Sequence, residues 1–214
     1  MALKCCTFRL YVPGRFGINK MKRYFFLCLF VGLLAFSACN SNSYTPKPRG
    51  YFKIDFPAKS YQVYDNGCPF SFEYPKYAKL LADSSTGTQP CWYNLTFPQF
   101  NGRIHLTYYD ISSKKEYENL IEDARTFAFK HTVKANAIDQ RVINHPDKKV
   151  YGIYYSIEGN TASSVQFFLT DSVKHYFRGA LYFNERPQYD SIQPVVNFIK
   201  KDIDRMINTF KWKN

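Results

Sequence analysis

Glycine is scarce in this chain of 214 residues: there are ten, and none falls into a phosphate-cradling loop. Nucleotide binding therefore has no support. Histidine is scarcer. His105, His131, His145 and His175 are scattered, and none belongs to a His-Glu-x-x-His pair or a close cluster with acids. Each reads as a structural or surface side chain, so no metal site is expected. No Gly-x-Ser-x-Gly elbow is present. The acids Asp55, Glu73, Asp110 and Glu158 could meet in space as a glycosidase needs, but acids at strand ends are usually solvated. The sequence thus points to no catalytic residues, no enzyme activity and no cofactor. A basic stripe is missing too. The net charge is +12, but six of the positive charges lie within residues 1–38 with no acid beside them, leaving +6 mixed with acids. Nucleic acid is not an expected partner. There is no internal repeat and no low-complexity segment.

The longest apolar run, Tyr24 to Phe36, is shorter than the roughly 20 residues that span a bilayer. Met21-Lys22-Arg23 precede it, and Ser37-Ala38-Cys39 follow. A short positive region, an apolar region and small residues before a cut make a secretory signal peptide. Phe36-Ser37-Ala38-Cys39 resembles a bacterial lipobox, although Phe36 stands where Leu is usual. The expectation is a lipoprotein signal peptide over 21–38, with Cys39 acylated as the new N-terminus; plain secretion or a retained anchor is the alternative. Residues 1–20 read as an overcalled start, or else as an extended basic leader. Residues 39–50 are polar, with Pro46 and Pro48, and read as a lipidated tether. Residues 51–214 are expected to form one domain.

Beyond Cys39, two cysteines remain, Cys68 and Cys91. In an oxidising compartment an even pair favours a disulfide, with two buried free thiols as the alternative. Two thiols alone are too few for zinc.

The chain next shows period-two segments. Strands are expected over Tyr51–Phe56, Pro69–Pro75, Trp92–Phe97 and Arg103–Tyr109, with a loop over Lys79–Gln89 and a hairpin turn at Asn101-Gly102. The period then changes. Ser113 and Glu116 fit a capping box, and Tyr117, Leu120, Ile121, Ala124, Phe127 and Ala128 recur at helical spacing. Four more strands follow, over Ala137–Ile143, Val150–Ile157, Val165–Thr170 and Lys174–Asn184. Their short turns predict an antiparallel meander. A second amphipathic helix runs from Ile192 to Phe210, with Asp190 and Gln193 as its expected cap and Pro194 in its first turn. The expected class is α+β, a mostly antiparallel sheet packed by two amphipathic helices, similar to the PsbP/Mog1 sandwich.

Aromatics are abundant, with 18 Tyr, 20 Phe and 2 Trp. Several strands carry them on both faces. If one face packs under the helices, the other needs cover or a partner. Tyr109, Tyr151, Tyr155 and Phe168 are the candidate partner surface.

Five stretches carry a family resemblance: Tyr44-Thr-Pro-Lys-Pro-Arg-Gly-Tyr51, Ile54-Asp-Phe-Pro57, Cys68-Pro-Phe-Ser-Phe-Glu-Tyr-Pro75, Cys91-Trp92 and Ile104-His-Leu-Thr-Tyr108. The chain resembles the gliding motility lipoprotein GldD family of Bacteroidetes. The resemblance implies a lipid-anchored envelope component of the gliding machinery, tied to type IX secretion, with no known catalytic residues. It implies contact with a membrane through N-terminal acyl chains and with envelope proteins. A periplasmic binder of glycans or small ligands is the rival reading. Asn40-Ser-Asn-Ser43 resembles the start of a lipoprotein kept facing the periplasm. Asp171-Ser172-Val173 and Asp190-Ser191-Ile192 resemble Bacteroidetes O-glycosylation acceptors at Ser172 and Ser191, or else are simply turn and helix-start residues.

Overall fold

The computed structural model describes residues 24–25, 53–185 and 188–213. The chain separates into two units, Met1–Gly50 and Tyr51–Asn214. All the elements below belong to the second. The expected lipid-bearing Cys39, the tether and all of the expected signal peptide but Tyr24 and Phe25 lie outside the described residues. Among the described residues, no helix is long and apolar enough to cross a membrane.

The strands are β1 (Tyr61–Tyr64), β2 (Phe70–Pro75), β3 (Lys79–Ala82), β4 (Tyr93–Phe97) and β5 (Gly102–Asp110). Helix α1 (Lys114–Phe129) follows, then β6 (Ala135–His145), β7 (Val150–Gly159), β8 (Ser163–Thr170) and β9 (His175–Phe183). Helix α2 (Tyr189–Thr209) and the short β10 (Lys211–Trp212) end the domain. Seven strands form one antiparallel sheet in the order β3-β4-β5-β9-β8-β7-β6. A smaller sheet has the order β1-β2-β10. The expected meander is therefore present as β6 to β9, and β9 returns to pair with β5 over nine residues, Gly102 to Asp110.

Alternation gives the large sheet two apolar faces. On one face Leu95, Phe97, Ile104, Leu106, Phe167, Phe177 and Leu181 meet Phe70 and Phe72 of β2. The α2 stripe of Ile199, Ile203, Met206 and Ile207 joins the same core, with Phe210 just beyond it. Phe70, Phe177 and Phe210 are fully buried, and burying each such ring is worth about 1.5–3 kcal/mol. On the other face Tyr155, Ile157, Phe168 and Tyr176 pack against Ala124 and Ala128 of α1. The class is α+β, a mostly antiparallel sheet with a helix on each side. Close packing removes one side chain altogether: a Cβ on Gly152 would sit 1.8 Å from the Phe168 carbonyl oxygen of β8.

Several sequence expectations need correction. Of the expected first strand Tyr51–Phe56, the described residues 53–56 carry no strand; the first strand is Tyr61–Tyr64, in register with β2 from Tyr61↔Pro75 to Tyr64↔Phe72. The expected loop over Lys79–Gln89 begins as edge strand β3. Lys79-Leu80-Leu81-Ala82 has no alternation, so only its backbone pairing to β4 reveals it. Ser113 does cap α1, accepting from the Glu116 N–H, but the Glu116 carboxylate reaches back to Ser112 rather than Ser113. Helix α2 is capped at Gln188 without a side-chain bond, Gln193 donates to the Tyr189 hydroxyl, and Pro194 sits inside the helix, past its first turn.

Candidate functional site: a lysine-rich groove at one end of the sheet

The antiparallel meander brings alternate turns to the same end of the sheet. The β6–β7 turn (Pro146–Lys149) and the β8–β9 turn (Asp171–Lys174) meet there, because Tyr151 pairs with Thr170. Two left-handed residues make these turns tight, Lys149 at φ 52° and Ser172 at φ 65°. The β8–β9 turn is also held by Asp171, whose Oδ1 accepts from the N–H groups of Val173, Lys174 and His175 at 2.8–2.9 Å. Burial pushes the Asp171 carboxyl up, but those three N–H groups together reverse this and leave it below the ordinary value.

Strand β10 reaches the same end by pairing with β2, Trp212 opposite Phe70. The Trp212 indole donates to the Lys149 carbonyl at 3.1 Å, and its ring stacks on His175 at 5.1 Å between centroids. His175 Nδ1 lies 2.7 Å from the Tyr108 hydroxyl, which donates to Asp110 at 2.5 Å. Lys148 donates to the Asn208 carbonyl at 2.6 Å, where a cation suits the C-terminal end of α2.

These pieces enclose an open groove of about 880 Å³. Five lysines line it, Lys148, Lys149, Lys174, Lys211 and Lys213, against two aspartates, Asp147 and Asp171. Lys213 is paired with Asp65. Among the described residues, Lys149, Lys174 and Lys211 form no ion pair, and all three are exposed. Since Asp171 is engaged with the backbone, the groove is a positive concavity with one flat aromatic wall. It can hold carboxylates or other anions. It presents no nucleophile paired with a base, and among the described residues no three His, Cys, Asp or Glu side chains group as for a metal. The four suspect acids do not converge: Asp55 pairs with Lys53, Glu73 with Arg205, Asp110 accepts from Tyr108, and Glu158 lies on β7.

The candidate partner surface Tyr109, Tyr151, Tyr155 and Phe168 is not an open face. Tyr155 and Phe168 are each only 2% exposed, because α1 lies over them. Tyr109 is wedged edge-on against Trp92 at 5.5 Å and half-buried, and Tyr151 is half-buried opposite Thr170. The aromatic surplus went into two cores rather than one core and one interface. Cys68 and Cys91 form a disulfide with Cα atoms 5.8 Å apart, tying the β1–β2 turn to the segment before β4. Ser172 and Ser191 are both exposed, in the β8–β9 turn and the first turn of α2.

A second charged cluster is internal. Asp202 of α2 is 1% exposed and takes hydrogen bonds from Lys59 (2.7 Å), Tyr61 (3.0 Å) and Tyr77. The Lys59 ammonium also lies 3.3 Å from the centre of the Phe198 ring. Phe56 stacks on the same ring at 4.5 Å. This cluster pins the segment that leads into the domain onto α2. Sequence reasoning missed both it and the groove. For the groove, the signal was the lysine-bearing turns, Lys148-Lys149 and Lys174, and the terminal Lys211-Trp212-Lys213.

No curated protein sequence matches the chain. Among solved structures, the chain is similar to the solution structure of cyanobacterial PsbP (CyanoP) from Synechocystis sp. PCC 6803. Identity is 10% and the TM-score is 0.41, over 75% of this chain and 97% of that one. The family model described as gliding motility lipoprotein GldD matches residues 41–212, which take in every strand and helix above, and the chain belongs to that family.

Proposed function

We propose that the protein is a non-enzymatic docking component of the gliding motility and type IX secretion machinery, facing the periplasm and held to its membrane by acyl chains on Cys39. Membership in a motility lipoprotein family supports an envelope role. The observation that carries the docking reading is the groove with three exposed ammonium groups beside Trp212 that form no ion pair among the described residues. Its occupant is an acidic segment of an envelope protein. Carboxylates meet lysine point charges there, and an apolar side chain of the segment lies on the indole.

The test is cross-linking in intact cells, followed by capture of the tagged chain and mapping of the joined peptides. Acidic peptides of a machinery component, joined at the groove, support the reading. Their loss in the triple variant Lys149→Glu, Lys174→Glu, Lys211→Glu, with melting unchanged, supports it further. Capture that survives the triple charge reversal removes the groove as the docking site.

A glycan or small anionic ligand is the second reading, favoured by the half-buried Trp212 ring on the groove wall. A thermal shift of the purified chain with soluble anionic oligosaccharides, absent in Trp212→Ala, would select it.

A further inference from the structure

Among the described residues, strand β6 forms one edge of the seven-stranded sheet and is paired only with β7. It is 11 residues long, whereas β3 at the opposite edge has four. Long open edges invite another strand, and proteins usually blunt them with charged side chains, above all lysine, with proline or with a β-bulge. From Ala135 to His145 there is neither lysine nor proline, and the register shift of this strand lies at its start, between Ala135 and Ala137, away from its middle. Asp139, Gln140, Arg141 and Val142 are all exposed, so both faces of the strand are open at its middle. Val142 shows 76% of its surface.

The charges on this edge are of opposite sign and flank one residue. Asp139 and Arg141 lie on either side of Gln140, on the α2 face of the sheet. Arg141 there pairs with Asp204 and lies over the Tyr154 ring, and Asp139 is near enough to act on Lys200. Ile138 and Val142 lie on the α1 face. Two copies of β6 placed antiparallel about a two-fold axis through Gln140 set Asp139 against Arg141 twice and Ile138 against Val142 twice. Gln140 then faces its own counterpart. In this register every unlike charge meets its partner and the exposed valine is covered.

We infer that β6 is a self-pairing edge, through which two copies of this chain join their sheets in the register centred on Gln140. The occupant is a second copy because the edge is complementary to itself. The inference does not rest on the lysine groove, which is built from the turns at one end of the sheet and from β10.

Single-cysteine cross-linking of the full chain in its own membrane tests the register, with the unsubstituted chain as background for its other cysteines. Paired residues across an antiparallel ladder have Cα atoms about 4.5–5.5 Å apart, within disulfide range. Gln140→Cys alone should form a covalent dimer under mild oxidation. Val142→Cys faces Ile138, some four residues or about 13 Å from its own copy, and alone should form at least about tenfold less. Ile138→Cys and Val142→Cys expressed together should restore the dimer. Asp139→Arg should abolish the Gln140→Cys dimer by facing like charges, and adding Arg141→Asp should recover it. No dimer from Gln140→Cys overturns the inference, as do equal yields at all three positions. Bonding of Gln140→Cys to a different protein overturns it too.

Discussion

Replacing Lys59 by methionine tests whether the buried cluster on α2 holds the domain together. The substitution keeps the length and apolar stem of the side chain but removes its charge. Asp202 would remain 1% exposed, with Tyr61 and Tyr77 as donors and no counter-charge. Removing one partner of a buried pair typically costs 3–5 kcal/mol. Lys59 keeps 26% of its side chain in solvent, so water screens part of the interaction. The expected loss is therefore at the low end, about 3 kcal/mol. For a domain of this size that is a fall of roughly 6–12 °C in Tm. Replacing both partners, Lys59→Met with Asp202→Leu, should be clearly less harmful than Lys59→Met alone, since no charge is left buried. The Tyr61 and Tyr77 hydroxyls then lose their shared acceptor, which keeps the double variant below the unsubstituted chain. Urea unfolding followed by Trp92 and Trp212 fluorescence would give all three values. A loss below about 1 kcal/mol for Lys59→Met would mean the pair behaves like a surface ion pair and would refute the reasoning.

Other outcomes follow from the same contacts. Reducing the Cys68–Cys91 bond, which closes a separation of 23 residues, should lower stability by about 3 kcal/mol in urea titrations with and without reductant. Gly152→Ala should fail to fold or lose several degrees of Tm, because the obstruction is a backbone carbonyl of β8 that cannot swing aside. Alkali should destabilise the domain. Burial, followed by the Asp202 charge, pushes the Tyr61 phenol up to about 12, and burial pushes Tyr154 and Tyr176 higher still. Their stabilisation is intact below the unfolded value near 10 and is lost as pH rises from there toward the folded values. Each phenol that keeps its proton while the unfolded chain loses it contributes about 1.4 kcal/mol per pH unit, readable in urea titrations at pH 9 and 11.

The helices were legible because their signals are local. The α1 stripe and the Ser113 cap can be read along one turn at a time, as can the five-turn stripe of α2. The meander was legible from its turns. What was not legible needed register. Tyr155 and Phe168 alternate to the face opposite Tyr154 and Phe167, and nothing local says that α1 covers that face. Lys59 and Asp202 are 143 residues apart, so neither looked special alone. The groove lysines come from two turns and a two-residue strand, and each had an ordinary surface reading until the sheet brought them together. Strand β3 was hidden for the same reason, since only its partner defines it.

The most direct test of the docking account is a photo-cross-linking residue placed at Lys174, inside the groove, compared with one at Glu118 on the solvent side of α1. In intact cells the account predicts that the probe at 174 captures an acidic segment of a motility or secretion component and that the probe at 118 does not. Capture at 118 with none at 174, from a chain that is folded and membrane-bound, would contradict it.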